Sequence, residues 1–455
     1  MRFDFKDKTV LVVGLGKSGI AAAEALLKQG AKVTVYDRKQ EGEMEPTLVQ
    51  FFKNQKADCC FGEHPADLTR FEFLVMSPGV PLDTPFVAKA AELGAKLISE
   101  VELAYLMSDC KYAAITGTNG KTTTTTLTGE IFQAAGRYSE IVGNVGVAVV
   151  SKAVAVPASA WMITECSSFQ LETTHEFHPA VSAILNITPD HMNRHKTMEN
   201  YAAAKARVFA NQTESDYAVL NKDDPETWKL AAGCRAEVVP FSRKEELDFG
   251  AYVKDGVIVI RDKQGIVWEI CKAEDLIIPG AHNLENALAA AAMAFFSGIG
   301  SDVIGKTLRE FQGVEHRMEF VDEIDGVRFV NDSKGTNPDA SIKALEAIDG
   351  GIVLIAGGYD KGSDYEELIG AFQGKVKAMM LLGKTAPKIQ EAALKAGFTN
   401  ITLCRNMEEC VKKGFAAARP GDTVLLSPAC ASWDMYTCFE QRGEHFKECV
   451  NKLAE

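Results

Sequence analysis

The stretch that decides the fold is Tyr112-Ala-Ala-Ile-Thr-Gly-Thr-Asn-Gly-Lys-Thr-Thr-Thr-Thr-Thr-Leu127. Its apolar residues 112–115 read as a buried strand, Gly117-Thr118-Asn119-Gly120 as a turn, and Lys121-Thr122 as the opening of a helix. A strand, loop and helix in that order can wrap backbone N–H groups around phosphates and set a helix N-terminus behind them. The lysine then reaches the terminal phosphates, and the following hydroxyl stands where a magnesium ion takes an oxygen ligand. The strict pattern has glycine five residues before Gly120; Ile115 stands there, so the loop is a compact variant. The competing reading is an ordinary Gly-Lys-Thr turn. The ordered succession of strand, turn and hydroxyl argues against it.

A chain of 455 residues is too long for one core, and about three domains are expected. Hydrophobic content of 46% with 24% charged residues describes an ordinary globular protein. The net charge of −13 argues against a broad nucleic-acid or anionic-membrane surface, so phosphate contacts must be local. Residues 1–6 lack the apolar core of a signal peptide, and no apolar run approaches the roughly 20 residues of a membrane span. The longest, 287–296, reads as a buried Ala-rich helix. Eleven scattered cysteines include one adjacent pair, Cys59-Cys60, and no Cys-x-x-Cys. Reduced thiols in a cytoplasmic protein are expected. His191 and His195 stand four apart, but no cysteine or second histidine pair accompanies them, so zinc is not expected.

Upstream, residues 9–37 read as a βαβ opening: strand 10–13, the turn Gly14-Leu15-Gly16-Lys17-Ser18-Gly19, helix 20–28, and strand 32–36 ending at Asp37. The turn suits any pyrophosphate, from a nicotinamide dinucleotide to a UDP-sugar. A further strand, 73–76, leads into Ser77-Pro78-Gly79-Val80. Downstream of the phosphate loop come strand 161–164 ending at Glu165, strand 180–187 running into Thr188-Pro189-Asp190-His191, and helix 201–210 carrying Lys205. Short meandering strands are expected over 245–274, then a helix from about Asn283. The pattern restarts at Gly313. Strands 329–330, 352–356, 378–382 and 423–426 each end in a polar, Gly- or Ser-rich loop, which suggests a third α/β domain facing a cleft. The fold class is α/β in three domains. A Rossmann-like domain spans 1–99, a central P-loop ATPase-like domain 100–313, and a C-terminal Rossmann-like domain 314–455.

Taken in order, these motifs resemble the Mur ligase family over essentially the whole chain. The carriers are the two glycine loops, Glu165-Cys166-Ser167-Ser168-Phe169-Gln170-Leu171, residues 186–191, Gly280-Ala281-His282-Asn283, His316-Arg317, Asn331-Asp332-Ser333-Lys334 and residues 427–432. Trp433 stands where the family more often has an aliphatic residue, which bears on the shape of that pocket. The resemblance implies ATP-dependent amide-bond synthesis in peptidoglycan assembly, on the branch that adds D-glutamate to UDP-N-acetylmuramoyl-L-alanine. It implies ATP and magnesium, with two metal sites. A monomer is expected, and the net charge argues against a nucleic-acid or membrane partner.

The resemblance also assigns roles. Lys121, Lys205 and His191 are the catalytic group. Gly117, Thr118, Asn119, Gly120, Lys121, Thr122, Thr123, Asn283, Asn286, Arg317 and Asp332 would bind ATP. Thr122, Glu165, His191 and a carbamylated Lys205 would hold magnesium. Residue 205 read on its own is an exposed helical lysine. Ser18, Asp37, Arg38, Ser77 and Asn144 would contact the UDP substrate. Lys334, Thr336, Lys361, Ser432 and Phe439 would surround D-glutamate, whose two carboxylates call for cations and hydroxyls. The alternatives are another branch of the family, adding L-alanine, diaminopimelate or lysine, and folylpolyglutamate synthetase, which leaves the first βαβ unit unexplained. An NAD(P)-dependent oxidoreductase leaves Lys121, Thr122, Glu165 and His191 idle. A non-catalytic nucleotide-binding module needs fewer such loops than this chain carries.

Overall fold

The computed structural model describes residues 2–360 and 362–454. The chain divides into two compact units. One comprises Met1–Ile187, Arg194–Lys272 and Ala287–Leu308, the other Thr188–Asn193, Ala273–Asn286 and Arg309–Glu455.

The first unit holds two sheets. The N-terminal one is formed by β1 (Thr9–Val13), β2 (Lys32–Asp37), β3 (Asp58–Phe61), β4 (Phe73–Met76) and β5 (Lys96–Ser99), in the order β3-β2-β1-β4-β5. All its pairings are parallel, and the chain changes direction of travel between β1 and β4. That switch point is where open sheets of this type bind ligands. Leu11, Val13, Leu74, Met76, Phe86 and Val87 pack into the core on one side.

The second sheet is built from β6 (Lys111–Thr116), β7 (Ser139–Gly143), β8 (Trp161–Glu165), β9 (Val181–Ile184), β10 (Tyr217–Asn221), β11 (Glu237–Ser242), β12 (Gly250–Lys254), β13 (Val257–Arg261) and β14 (Val267–Lys272). Its order is β14-β13-β12-β11-β10-β9-β6-β8-β7. The strands from β7 through β12 pair in parallel, and the antiparallel β12–β14 meander expected over 245–274 extends one edge. β6 lies between β8 and β9, so the loop of residues 117–120 leaves the middle of the sheet. Helix Lys121–Ala134 follows it and packs tightly: a Cβ on Gly129 would stand 2.4 Å from Ile141 Cγ1. The Ala-rich segment is helical, within Ala281–Phe296, and residues 287–294 are fully buried.

The second unit holds β15 (Glu319–Ile324), β16 (Val327–Asn331), β17 (Ile352–Ala356), β18 (Val376–Leu381), β19 (Ile401–Leu403) and β20 (Thr423–Leu426), in the order β15-β16-β20-β17-β18-β19. Among the described strands of this sheet, β15 and β16 pair antiparallel and the other pairings are parallel. The apolar runs that read as strands are covered on both faces: Leu354, Met379 and Leu425 pack on one, Val353, Met380 and Val424 on the other. Such two-sided burial is what a parallel sheet with helices on both faces requires. Among the described residues no helix is long and apolar enough to cross a membrane.

Candidate active site

The phosphate-type loop starts where β6 ends. Gly117 and Gly120 have φ of +149° and +82°, conformations that suit residues without a Cβ. A Cβ on Gly117 would also press to 3.1 Å from Leu185 Cβ. Asn186, just past β9, pins the loop. Its carbonyl accepts from Thr118 N at 2.9 Å, its side-chain oxygen accepts from Asn119 N at 2.8 Å, and its Nδ2 donates to Asn119 O at 3.2 Å. Lys121 Nζ folds over the turn and donates to the carbonyls of Gly117 (2.9 Å) and Thr118 (2.7 Å). Thr122 and Thr123 are buried in the first turn of the helix.

Glu165, at the tip of β8 beside β6, is buried and bridges two neighbours. Its Oε2 accepts from Thr122 Oγ1 and its Oε1 from Asn144 Nδ2, both at 2.8 Å. A hydroxyl and a carboxylate within hydrogen-bond distance form an all-oxygen set, the donor type that magnesium takes. Residue 205 departs from the exposed helical lysine that its sequence position suggests. Helix Met198–Ala206 turns it inward, leaving it 1% exposed. Its Nζ donates to Gly117 O at 2.7 Å and lies 4.5 Å from the Tyr201 ring centroid. Two lysine ammonium groups thus converge on one carbonyl of the phosphate-type loop.

At the N-terminal sheet's switch point, Ser77 Oγ donates to Gly14 O at 2.7 Å, joining the loops after β1 and β4. Gly19 is required by packing, since a Cβ there would stand 1.9 Å from Gly14 O. Asp37 turns its carboxylate onto the chain itself, accepting from Leu15 N at 2.8 Å and Lys39 N at 3.0 Å. Ser18 lies half-buried in helix Lys17–Lys28, and Arg38 is exposed.

In the second unit, His191 takes φ +56°, and its backbone N–H donates to Asp190 Oδ1 at 2.9 Å. Asn337 Nδ2 donates to Asp190 Oδ2 at 3.3 Å, which ties that segment to the loop after β16. Asn283 and Asn286 are buried on one face of the helix start, Asn286 Nδ2 donating to Asn283 Oδ1 at 3.1 Å. Asn283 and Arg317 line a cavity of about 760 Å³ together with Ile278, Met318 and Phe320. Beside them burial pushes the His282 imidazole down to about 4, helped by the charges of Arg317 and Lys343.

Asp332 follows β16 and is 1% exposed. Its Oδ2 accepts from Ser427 Oγ at 2.8 Å, while Oδ1 lies 3.7 Å from Arg317 Nη1. Neither Asp332 Oδ1 nor Arg317 Nε has a hydrogen-bond partner although both are buried. A hydroxyl-bearing, anionic ligand would satisfy both atoms, so this pair fits a nucleotide. Burial raises the Asp332 carboxyl to about 6 against the pull of Arg317. Lys334 Nζ lies 5.1 Å from the Phe439 ring centroid, Thr336 is half-buried, and Ser432 is buried at the end of the loop after β20. Lys361 lies outside the described residues. Trp433 is 61% exposed, its ring 5.6 Å from that of Tyr359 on the adjoining loop.

Three family descriptions match the chain in order: "Mur ligase MurD-like, N-terminal domain" over residues 8–99, "Mur ligase middle domain" over 115–294, and "Mur ligase, glutamate ligase domain" over 316–430. The chain belongs to the Mur ligase family. It is 50% identical over 453 residues to the UDP-N-acetylmuramoylalanine–D-glutamate ligase of Caldanaerobacter subterraneus subsp. tengcongensis, covering 99% of both chains. It is 48% identical over 451 residues to the enzyme of the same name from Clostridioides difficile, covering 99% of this chain and 100% of the other. Among solved structures it is similar to a pseudomurein peptide ligase type C from Methanothermus fervidus. The TM-score is 0.61 at 19% identity, over 98% of this chain and 100% of that one. A UDP-N-acetylmuramate–alanine ligase from Thermotoga maritima gives a TM-score of 0.58 at 18% identity, over 98% and 99%. As a member of this family the chain is an ATP-dependent ligase.

Several residues of this Mur ligase that sequence reading passed over sit against the same loops. Arg194 Nη1 donates to Val80 O at 3.1 Å and Nη2 to Glu172 Oε2 at 2.6 Å, linking the Ser77–Val80 loop to the segment after Glu165. Glu172 Oε1 stands 3.5 Å from His195 Nδ1, whose Nε2 is 3.0 Å from Ser168 Oγ. Glu100 is fully buried, and its Oε1 accepts from Val150 N at 2.5 Å, beyond the turn that carries Asn144. Glu100 and Glu102 alternate with apolar residues at the start of the run that ends at Leu106, and two acids set among Val101, Leu103 and Ala104 were the available signal.

Proposed function

We propose that this Mur ligase joins D-glutamate to the alanyl carboxylate of UDP-N-acetylmuramoyl-L-alanine in the cytoplasm, with ATP converted to ADP and phosphate, as a step of peptidoglycan-precursor synthesis. The observation that carries the choice of branch is the 50% identity, over 99% of both chains, to an enzyme named for that reaction. The chemistry accounts for the parts. A carboxylate is inert toward an amine because oxide is a poor leaving group. One of its oxygens therefore attacks the γ-phosphorus, the bond to the bridging oxygen breaks, and ADP departs with that electron pair. The D-glutamate amine then attacks the acyl phosphate carbonyl, loses a proton, and phosphate leaves from the tetrahedral intermediate. Position and positive charge are what a protein contributes to both steps.

In this reading the backbone of 117–120 cradles phosphate, and Lys121 swings from its carbonyl partners to neutralise the migrating charge. Thr122, Glu165, His191 and Lys205 would hold magnesium, which supplies charge neutralisation on the phosphates. Asp332 orients the ribose, and Arg317 offers its fork to phosphate oxygens. Asn283 and Asn286 take the adenine side. Ser18, Asp37, Arg38, Ser77 and Asn144 hold the UDP substrate, and Lys334, Thr336, Lys361, Ser432 and Phe439 the incoming amino acid. Carbamylation of Lys205 adds carbon dioxide to the neutral amine with loss of a proton; the burial of that side chain supports it. A phosphate-release assay with UDP-N-acetylmuramoyl-L-alanine, ATP and a panel of amino acids tests the proposal. Release is expected with D-glutamate alone; release with L-lysine or diaminopimelate in its place refutes the branch. Lys121→Ala is expected to lower turnover by roughly a thousandfold or more with the fold retained, and full activity in that variant removes the phosphate-loop assignment.

A further inference from the structure

The strand-end loops of the second unit share one buried side chain that the proposed roles leave unused. Arg442 lies in helix Phe439–Ala454 and is 2% exposed. Its Nε donates to Ser333 Oγ at 3.0 Å, Nη2 to Ser333 O at 2.7 Å, and Nη1 to Cys430 O at 3.1 Å. Ser333 stands between Asp332 and Lys334, and Cys430 two residues before Ser432. Ser333 Oγ in turn donates to Phe439 O at 2.8 Å. The loop after β17 closes on the same group: a Cβ on Gly358 would lie 3.2 Å from Arg442 Nη1 and 2.3 Å from Ala431 O.

All three hydrogen-bond partners of this guanidinium are neutral oxygens, and among the described residues no carboxylate accepts from it. Burying a charge without an ion-pair partner is unfavourable, and an apolar side chain of similar volume would fill the space with less penalty. Burial accordingly pulls the Arg442 guanidinium down to about 10. What an apolar replacement lacks is a planar fork that fixes two carbonyls and a hydroxyl at set angles. We propose that Arg442 is a positioning residue for amino-acid capture, its fork holding the Ser333 and Cys430 loops in the register that aligns Lys334, Ser432 and Phe439. The inference rests on the reading of these loops as the amino-acid side.

The test uses the full-length enzyme. Wild type is first titrated with the amino-acid panel, so a wrong choice of amino acid shows there and leaves the variants to be read with whichever one is accepted. Arg442→Lys keeps the charge but not the fork. Its KM for the amino acid is expected to rise about tenfold, with kcat within about threefold and the KM for the UDP substrate within about twofold. Ser333→Ala removes the acceptor of Arg442 Nε and the donor to Phe439 O, keeps the carbonyl bonds, and should raise the amino-acid KM about threefold. The double variant should raise the amino-acid KM by less than the product of the two single effects. The Arg442 Nε–Ser333 Oγ bond is common to both changes, and only the Ser333 Oγ–Phe439 O bond is lost in addition. An unchanged amino-acid KM in Arg442→Lys, or a rise shared equally by the amino acid and the UDP substrate, overturns the proposal. Should Arg442→Lys fail to fold, an unchanged amino-acid KM in Ser333→Ala overturns it equally.

Discussion

Replacing Glu100 by glutamine should change how stability depends on pH. The Glu100 carboxyl is fully buried, held by backbone N–H donors of Val149 and Val150, and burial raises it from 4.5 to about 7. Its Oε2 has no hydrogen-bond partner. The folded chain thus holds this proton more tightly than the unfolded chain does. The stabilisation is complete below pH 4.5 and is lost as pH rises through the folded value. A shift of that size corresponds to about 3 kcal/mol, of which about 2 kcal/mol falls between roughly pH 5.5 and 8.5. Glutamine imitates the protonated acid and does not titrate. Urea unfolding of both proteins across that range should therefore show the variant gaining about 2 kcal/mol on wild type from the acidic to the basic end. The comparison of slopes removes any fixed offset from the amide. A difference that stays flat to within about 0.5 kcal/mol would refute the claim that this carboxyl sits in an apolar enclosure and titrates late.

Other outcomes follow from the same geometry. Gly117→Ala places a Cβ at φ +149° and 3.1 Å from Leu185 Cβ, so a loss of about 2 kcal/mol in thermal or urea stability is expected, together with weaker ATP binding by calorimetry. Asp332 should be ionised above about pH 6, so the KM for ATP should climb as pH falls through that value, and Asp332→Asn should abolish the dependence. Arg194→Ala cuts the tie between Val80 O and Glu172, and should raise the KM for the UDP substrate roughly tenfold while the KM for ATP moves less than about twofold.

Much of the architecture was legible because it is local. Val10 to Asp37 and Tyr112 to Lys121 each contain a complete strand, turn and helix start, and short-range apolar patterning reports such units directly. Several strands escaped notice, among them the buried central strand Tyr217–Asn221 and others that lie at sheet edges or carry polar residues. Asp58-Cys59-Cys60-Phe61 and Ile401-Thr402-Leu403 are short edge strands, and Glu319–Ile324 is largely half-exposed, so none has the continuous apolar run of a central strand. The candidate site was legible as residue types and illegible as contacts. Lys205 meets Gly117 across 88 residues and Arg442 meets Ser333 across 109, and no local pattern encodes such meetings. A signal for Lys205 was nonetheless present. It falls four residues after Tyr201 and three before Val208, on the stripe that the helix buries.

The two hydrogen bonds that Asn186 accepts and the one it donates have a thermodynamic corollary. A main chain already fastened at Thr118 and Asn119 has little freedom left to surrender when a triphosphate arrives. Capture should then proceed with a small entropic cost from the receiving segment and a near-diffusive association rate. Asn186→Ala keeps the carbonyl that accepts from Thr118 N and removes the two side-chain bonds to Asn119. It should slow association more than it hastens release, a kinetic imprint that stopped-flow mixing with a fluorescent ATP analogue can read.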